Sequence, residues 1–213
     1  MRVFIAFLLA AIAGGHALAA DLALSIRTQG GDPVKDAVVS FRPASGAPAP
    51  KVQGPYVMVQ QDIQFHPFVL VVPVGADVNF PNRDKVRHHV YSFSTAKRFE
   101  LKLYGHDETR TVHFDKAGVV ALGCNIHDSM SAFIDVTDTP YVAKTDDKGE
   151  ALLSDLPAGP GTLVVWHPYL KSPRNEQAHA VTIEGDARQS YVLDLRPPPA
   201  SMTMPMGDGM APP

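Results

Sequence analysis

The chain has 213 residues and a net charge of −3 at pH 7, with 19 lysines and arginines against 22 aspartates and glutamates. No basic patch stands out, which argues against a nucleic-acid partner. A single cysteine cannot form an internal disulfide, and no stretch keeps a helical apolar period for three turns, so the short β-branched runs between abundant glycine and proline predict an all-β protein of sandwich type.

Arg2, the apolar run Val3 to Ala13 and the small residues Ala17-Leu18-Ala19 before Ala20-Asp21 have the charged start, hydrophobic core and cleavage site of a secretory signal. Residues 1–20 are therefore expected to be removed and the remainder exported, to a bacterial periplasm. The apolar core is too short for a membrane span, and none is expected. Leu22 to Ile26 then reads as a strand, Gly31-Asp32-Pro33 as a turn, and Val34 to Phe41 as a second strand. Pro43 to Pro55, rich in Pro, Ala and Gly, reads as a linker.

Further strands are predicted at Phe68 to Val72, at His89 to Phe93 and at Gly118 to Leu122. The last of these delivers Cys124 to the loop Cys-Asn-Ile-His-Asp-Ser-Met, and Ser131 to Val136 resumes as a strand directly after Met130. A thiolate, an imidazole and a thioether thus share one short loop pinned by two strands, with His88 and His89 upstream. Two histidines and a cysteine in a trigonal set, with a weak axial methionine, are what a type 1 copper centre requires. Soft sulfur holds the cuprous state and imidazole either state, so the ion changes charge with little rearrangement. Zinc fits less well because methionine is a poor zinc ligand.

Val78-Asn79-Phe80-Pro81-Asn82-Arg83-Asp84, His88-His89-Val90 and Gly123 to Met130 together resemble the cupredoxin family, with the short ligand loop of amicyanin. The wording through Asp138-Thr139-Pro140-Tyr141 is similar to cupredoxin-like proteins called methylamine utilisation proteins. The similarity covers roughly residues 57 to 137 and implies a Greek-key sandwich holding one type 1 copper through His88, Cys124, His127 and Met130. In the family the first ligand histidine is followed by an asparagine that braces the cysteine loop, so His88 falls on the ligand position and His89 on the asparagine. Neighbouring strand residues point to opposite faces, so one of the pair is expected at the metal, with His89 the second choice. The resemblance also implies a one-electron carrier, not an enzyme, working between a redox donor and acceptor such as a dehydrogenase or a c-type cytochrome. The imidazole edge of His127 would be the electron port.

After the copper segment, Thr145 to Leu153, Leu156-Pro157-Ala158-Gly159 and the strand ending at Trp166 pair with the N-terminal strands in pattern. They resemble a carboxypeptidase regulatory-like domain, an Ig/transthyretin-like or carbohydrate-binding-like β-sandwich. The expected organisation is a discontinuous host sandwich at 21–55 and 138–196, a cupredoxin domain inserted at 56–137, and a tail at 197–213. A structural spacer is the simpler role for the host than sugar binding, because no cluster of exposed aromatics is evident. The tail carries Met202, Met204, Met206 and Met210 among Pro and Gly, a composition that predicts disorder, though thioethers can hold cuprous copper.

Several residues carry plainer readings. His66, His106, His113, His167 and His179 are scattered and are not expected to be ligands. Asp84 and Asp138 read as turn residues, Trp166 and Phe133 as core aromatics. Asn125, Asp128 and Ser129 are placed to tune the loop, Asn125 above all. A multicopper oxidase would flank its cysteine with histidines, whereas Gly123 and Asn125 stand here. A copper-delivery protein and a carbohydrate-binding or structural module remain the alternative functions.

Overall fold

The computed structural model describes residues 19–199. Residues 1–18 of the segment 1–20 read as a secretory signal, and residues 200–213 of the tail read at 197–213, lie outside the described residues. The chain forms β1 (Ala20–Thr28) and β2 (Val38–Pro43), then passes through residues 44–55 without regular structure. Short strands β3 (Tyr56–Val57), β4 (Val59–Gln61) and β5 (Gln64–His66) lead into β6 (Val69–Pro73), β7 (Ala76–Pro81), β8 (His88–Phe93), β9 (Arg98–Tyr104), β10 (Thr109–Phe114), β11 (Gly118–Cys124) and β12 (Ser131–Thr137). The last group is β13 (Val142–Lys144), β14 (Glu150–Leu156), β15 (Gly159–Trp166), β16 (Glu176–Ile183) and β17 (Ala187–Leu193). The one helical piece among the described residues is a single 3-10 turn at Pro173–Asn175. No helix of the described residues is long and apolar enough to cross a membrane.

The strands are sandwiched sheets. A five-stranded sheet in the order β6-β12-β11-β8-β9 faces a three-stranded sheet in the order β10-β7-β3. Alternation fills the space between them: β7, β8, β11 and β12 each bury every second residue, as a strand with one face on a core must. The resulting core includes Phe80, Phe114, Tyr104 and Ile134, and all its buried members lie between Met58 and Val136. The other two sheets, β14-β1-β17 and β13-β2-β15-β16, enclose a second core around Leu24, Ile26, Phe41, Leu163 and Leu193. Its buried members come from residues 20–41 and 153–193. Two distant chain segments thus share one interior, and the intervening segment has its own.

A third, smaller apolar cluster joins the two. Val38 and Trp166 meet Val69, with Phe68 and Phe133 packed against them. The Phe133 ring lies 5.6 Å from Phe68 and 5.8 Å from Trp166, both near edge-to-face, the arrangement that the ring quadrupoles favour. Trp166 and Phe133, read as ordinary core aromatics, therefore lie at the seam between sheets. Lys144 adds a polar clamp there, its Nζ donating to Asp36 Oδ1 at 2.7 Å and to the Val69 carbonyl at 2.8 Å. Pro48, Ala49, Pro50, Lys51 and Gln53, in the stretch read as a linker, border a groove of about 630 Å³ with β6 and β13.

Candidate metal centre

Two neighbouring strands bring the donors together. β8 pairs antiparallel with β11, Tyr91 opposite Gly123 and Val90 opposite Cys124, so the start of one strand lies beside the end of the other. His88, Val90 and Ser92 point inward along β8, whereas His89 points outward, where its Nε2 meets Glu100 Oε1 at 2.8 Å. Inward-facing His88 is fully buried and its Nδ1 lies 3.8 Å from Cys124 Sγ. His127 reaches back from the loop and places its own Nδ1 3.7 Å from the same sulfur. The loop is closed by the Met130 amide, which donates to the His127 carbonyl at 3.0 Å. Met130 is buried at its end, in the same core as Cys124.

The donor atoms of His88, Cys124 and His127 all lie within 4.8 Å of one another. This spacing can be tested against an ion. A trigonal centre with nitrogen at about 2.0 Å and thiolate sulfur at about 2.3 Å holds N and S about 3.7 Å apart. The observed separations of 3.8 and 3.7 Å match that value. The two rings, 5.0 Å apart and inclined by 61°, leave both Nδ1 atoms facing the sulfur. Two imidazoles, one thiolate and a buried thioether close by make a soft, redox-suited donor set.

Electrostatics prepare the thiol for this. Burial pushes the Cys124 thiol up, but hydrogen bonds from His88, from the backbone at His89 and Ile126 and from His127 outweigh it and hold it at about 6. Burial likewise works against charge on His88, yet contact with Cys124 and Asp84 leaves its imidazole more basic than usual. Asp84 loses some acidity to burial but is held below the usual carboxylate range by His88 and by the amides of Ile63 and Asp62.

The structure differs from the sequence reading in several particulars. Asp84 is more than a turn residue, because its Oδ2 lies 2.7 Å from His88 Nε2, the ring nitrogen away from Cys124. A carboxylate on the outer nitrogen of a ligand histidine is the usual orienting contact. The signal was in the sequence as an acid four residues before a candidate ligand. The cysteine loop is braced by the backbone of His89, whose carbonyl accepts from the Asn125 amide at 3.1 Å, and Asn125 itself is exposed. His66 contacts the Gln61 carbonyl, His106 the Asp84 carbonyl and His113 the Asp77 carboxylate, all away from Cys124. A Cβ at Gly123 would come within 2.7 Å of the far end of the Tyr91 ring, so a larger residue there requires that side chain to shift.

Among known proteins, no family model and no curated protein matches the chain. Solved structures similar to it include a copper-containing nitrite reductase from Thermus scotoductus, 27% identical with a TM-score of 0.38 over 46% of this chain and 25% of that one. A purple cupredoxin from Nitrosopumilus maritimus is 20% identical with a TM-score of 0.36 over 39% of this chain and 100% of that one. An amicyanin variant in its reduced Cu(I) form is 21% identical with a TM-score of 0.37 over 46% of this chain and 98% of that one. The chain thus spans a quarter of the nitrite reductase and nearly all of the two smaller proteins.

Proposed function

We propose that the chain is an exported copper protein that carries single electrons between redox partners, with His88, Cys124 and His127 as strong ligands and Met130 as the weak axial one. The observation that carries this reading is the pair of Nδ1 atoms 3.8 and 3.7 Å from one buried sulfur. A copper ion held there would supply a one-electron couple. The protein's part is to hold the donors still: His88 and Cys124 sit on paired strands, and His127 and Met130 are tied by a backbone bond within the loop. Rigid donors suit both charge states, so little reorganisation accompanies the change.

Access runs through the loop. His88 and Cys124 are buried while His127 is half-exposed, next to Ile126 at 47% exposure. Val86, at 43%, adds an apolar side chain two residues before His88. The His127 edge is the port this arrangement favours, and a donor or acceptor such as a dehydrogenase or c-type cytochrome would dock over it. The two separate cores support a copper domain at 56–137 inserted into a host sandwich, which the seam of Trp166, Phe133 and Lys144 would hold in fixed orientation.

Titration of the apo protein with cupric ion tests this. An intense blue band reaching its end point at one equivalent, absent in Cys124→Ser, with reversible one-electron voltammetry, is the expected result. Colourless, tight cuprous binding without a reversible couple would instead establish a delivery protein.

A further inference from the structure

The hairpin of β4 and β5 turns through Asp62 and Ile63, which both occupy the left-handed region at φ 55° and 54°. A two-residue turn of this kind favours Asn-Gly, and aspartate tolerates it. Isoleucine does not, because its branched Cβ crowds the carbonyl, so a left-handed isoleucine points to a constraint imposed from elsewhere. Two contacts impose it. The Ile63 side chain packs against the core that contains Cys124. The turn's amides converge on one group: the Asp62 N–H donates to Asp84 Oδ1 at 2.7 Å and the Ile63 N–H to Asp84 Oδ2 at 3.1 Å.

The other side of Asp84 is equally fixed. Its amide donates to Asn82 Oδ1 at 2.8 Å, and fully buried Asn82 donates in turn to the Val86 and Tyr104 carbonyls at 2.8 and 3.1 Å. The Asp84 carboxylate therefore receives two backbone donors plus His88 Nε2 at 2.7 Å. Three converging donors suit a group that only accepts, an ionised carboxylate. His88 must then carry a hydrogen on Nε2, which leaves Nδ1 as the nitrogen free to bind at the Cys124 side.

We propose that the strained Asp62–Ile63 turn is a built cradle for the Asp84 carboxylate, making Asp84 a positioning residue that sets the binding nitrogen of His88 and lowers the reduction potential of the site. The potential part rests on the copper reading above; the cradle does not. A ligand imidazole donates its outer N–H more strongly when the bound ion is more positive, so a fixed carboxylate there favours the cupric state.

Two measurements separate these claims. In the metal-free wild-type protein, nitrogen-15 NMR of the histidine rings is expected to show a His88 Nε2 proton that is shifted downfield and slow to exchange. A neutral His88 protonated on Nδ1 alone would overturn the cradle. In copper-loaded protein, Asp84→Asn removes the charge and sets an amide against backbone donors. It is expected to weaken cupric relative to cuprous binding by about 10- to 100-fold, a rise in potential of about 59 to 118 mV for one electron. An Asp84→Asn potential equal to wild type with the blue band intact would overturn the proposal. Failure of the wild type to take copper would overturn the functional reading, while the NMR result would still decide the cradle.

Discussion

Asp135 offers a prediction whose size can be worked from the structure. It lies on β12, facing a small seam cavity of about 90 Å³ also bordered by Val38, Arg42, Trp166 and Glu176. Burial raises its carboxyl to about 6; Arg42 pulls it down, but Arg42 is engaged with Asp138 at 2.9 Å, and Glu176 and Asp138 push it up. The shift from 3.8 to about 6 means that the folded chain resists a charge the unfolded chain accepts. At neutral pH this costs about 3 kcal/mol of stability, at about 1.4 kcal/mol per pH unit, as an upper bound because the side chain keeps some accessible surface. The cost is absent well below pH 3.8, grows as pH rises towards 6 and is constant above. Asp135→Asn removes it and introduces an amide with imperfect partners, for a net gain of about 2 kcal/mol at pH 7.5. In a chain of this size that corresponds to a rise in Tm of roughly 4–8 °C. At pH 4 the gain should fall by about 2 kcal/mol or more and the variant should lose its advantage. Thermal melts of both proteins at the two pH values check this. Equal melting at pH 7.5, or an advantage that persists unchanged at pH 4, would refute the assignment of an uncompensated carboxyl at the seam.

Lys144→Met removes the cross-seam clamp and leaves Asp36, whose side chain is 10% exposed, without its cation; unfolding by denaturant should show a loss of about 1–3 kcal/mol. Gly123→Ala sets a methyl against the far end of the Tyr91 ring, which must shift, and is expected to move the Tyr91 ring resonances while costing less than about 1 kcal/mol. Because the Cys124 thiol is held at about 6 instead of 9.0, alkylation of the metal-free protein by iodoacetamide should rise with pH through about 6 and be nearly level by pH 8. A rate that keeps climbing to pH 9 would contradict the hydrogen bonding drawn around the sulfur.

What could be read in the sequence depended on range. Cys124, His127 and Met130 share one loop, so their spacing alone suggested a common centre, and strand alternation anticipated that one of His88 and His89 turns inward. The direction itself required β8 in place: His88 enters the core and His89 meets Glu100 from β9, a pairing set by strand register. The role of Asp84 was legible only in part: His88 follows it by four residues, but Asp62 and Ile63, whose amides fix its carboxylate, stand 22 and 21 residues away in a turn whose left-handed isoleucine no propensity suggests. The seam was hidden for a similar reason. Phe133 and Trp166 belong to different sheets, and nothing local distinguishes an aromatic that fills a sandwich from one that joins two. The all-β character, by contrast, followed from short apolar alternation punctuated by turn residues, which acts locally.

The central claim is that two imidazoles and one thiolate close on a single copper ion. Copper-edge X-ray absorption of the loaded protein measures this directly. The account predicts one sulfur at about 2.2–2.3 Å and two nitrogens at about 2.0 Å, with the sulfur lost in Cys124→Ser and the shell unchanged in His89→Ala. A first shell of oxygen and nitrogen alone in the wild type, or loss of a nitrogen in His89→Ala, would contradict it.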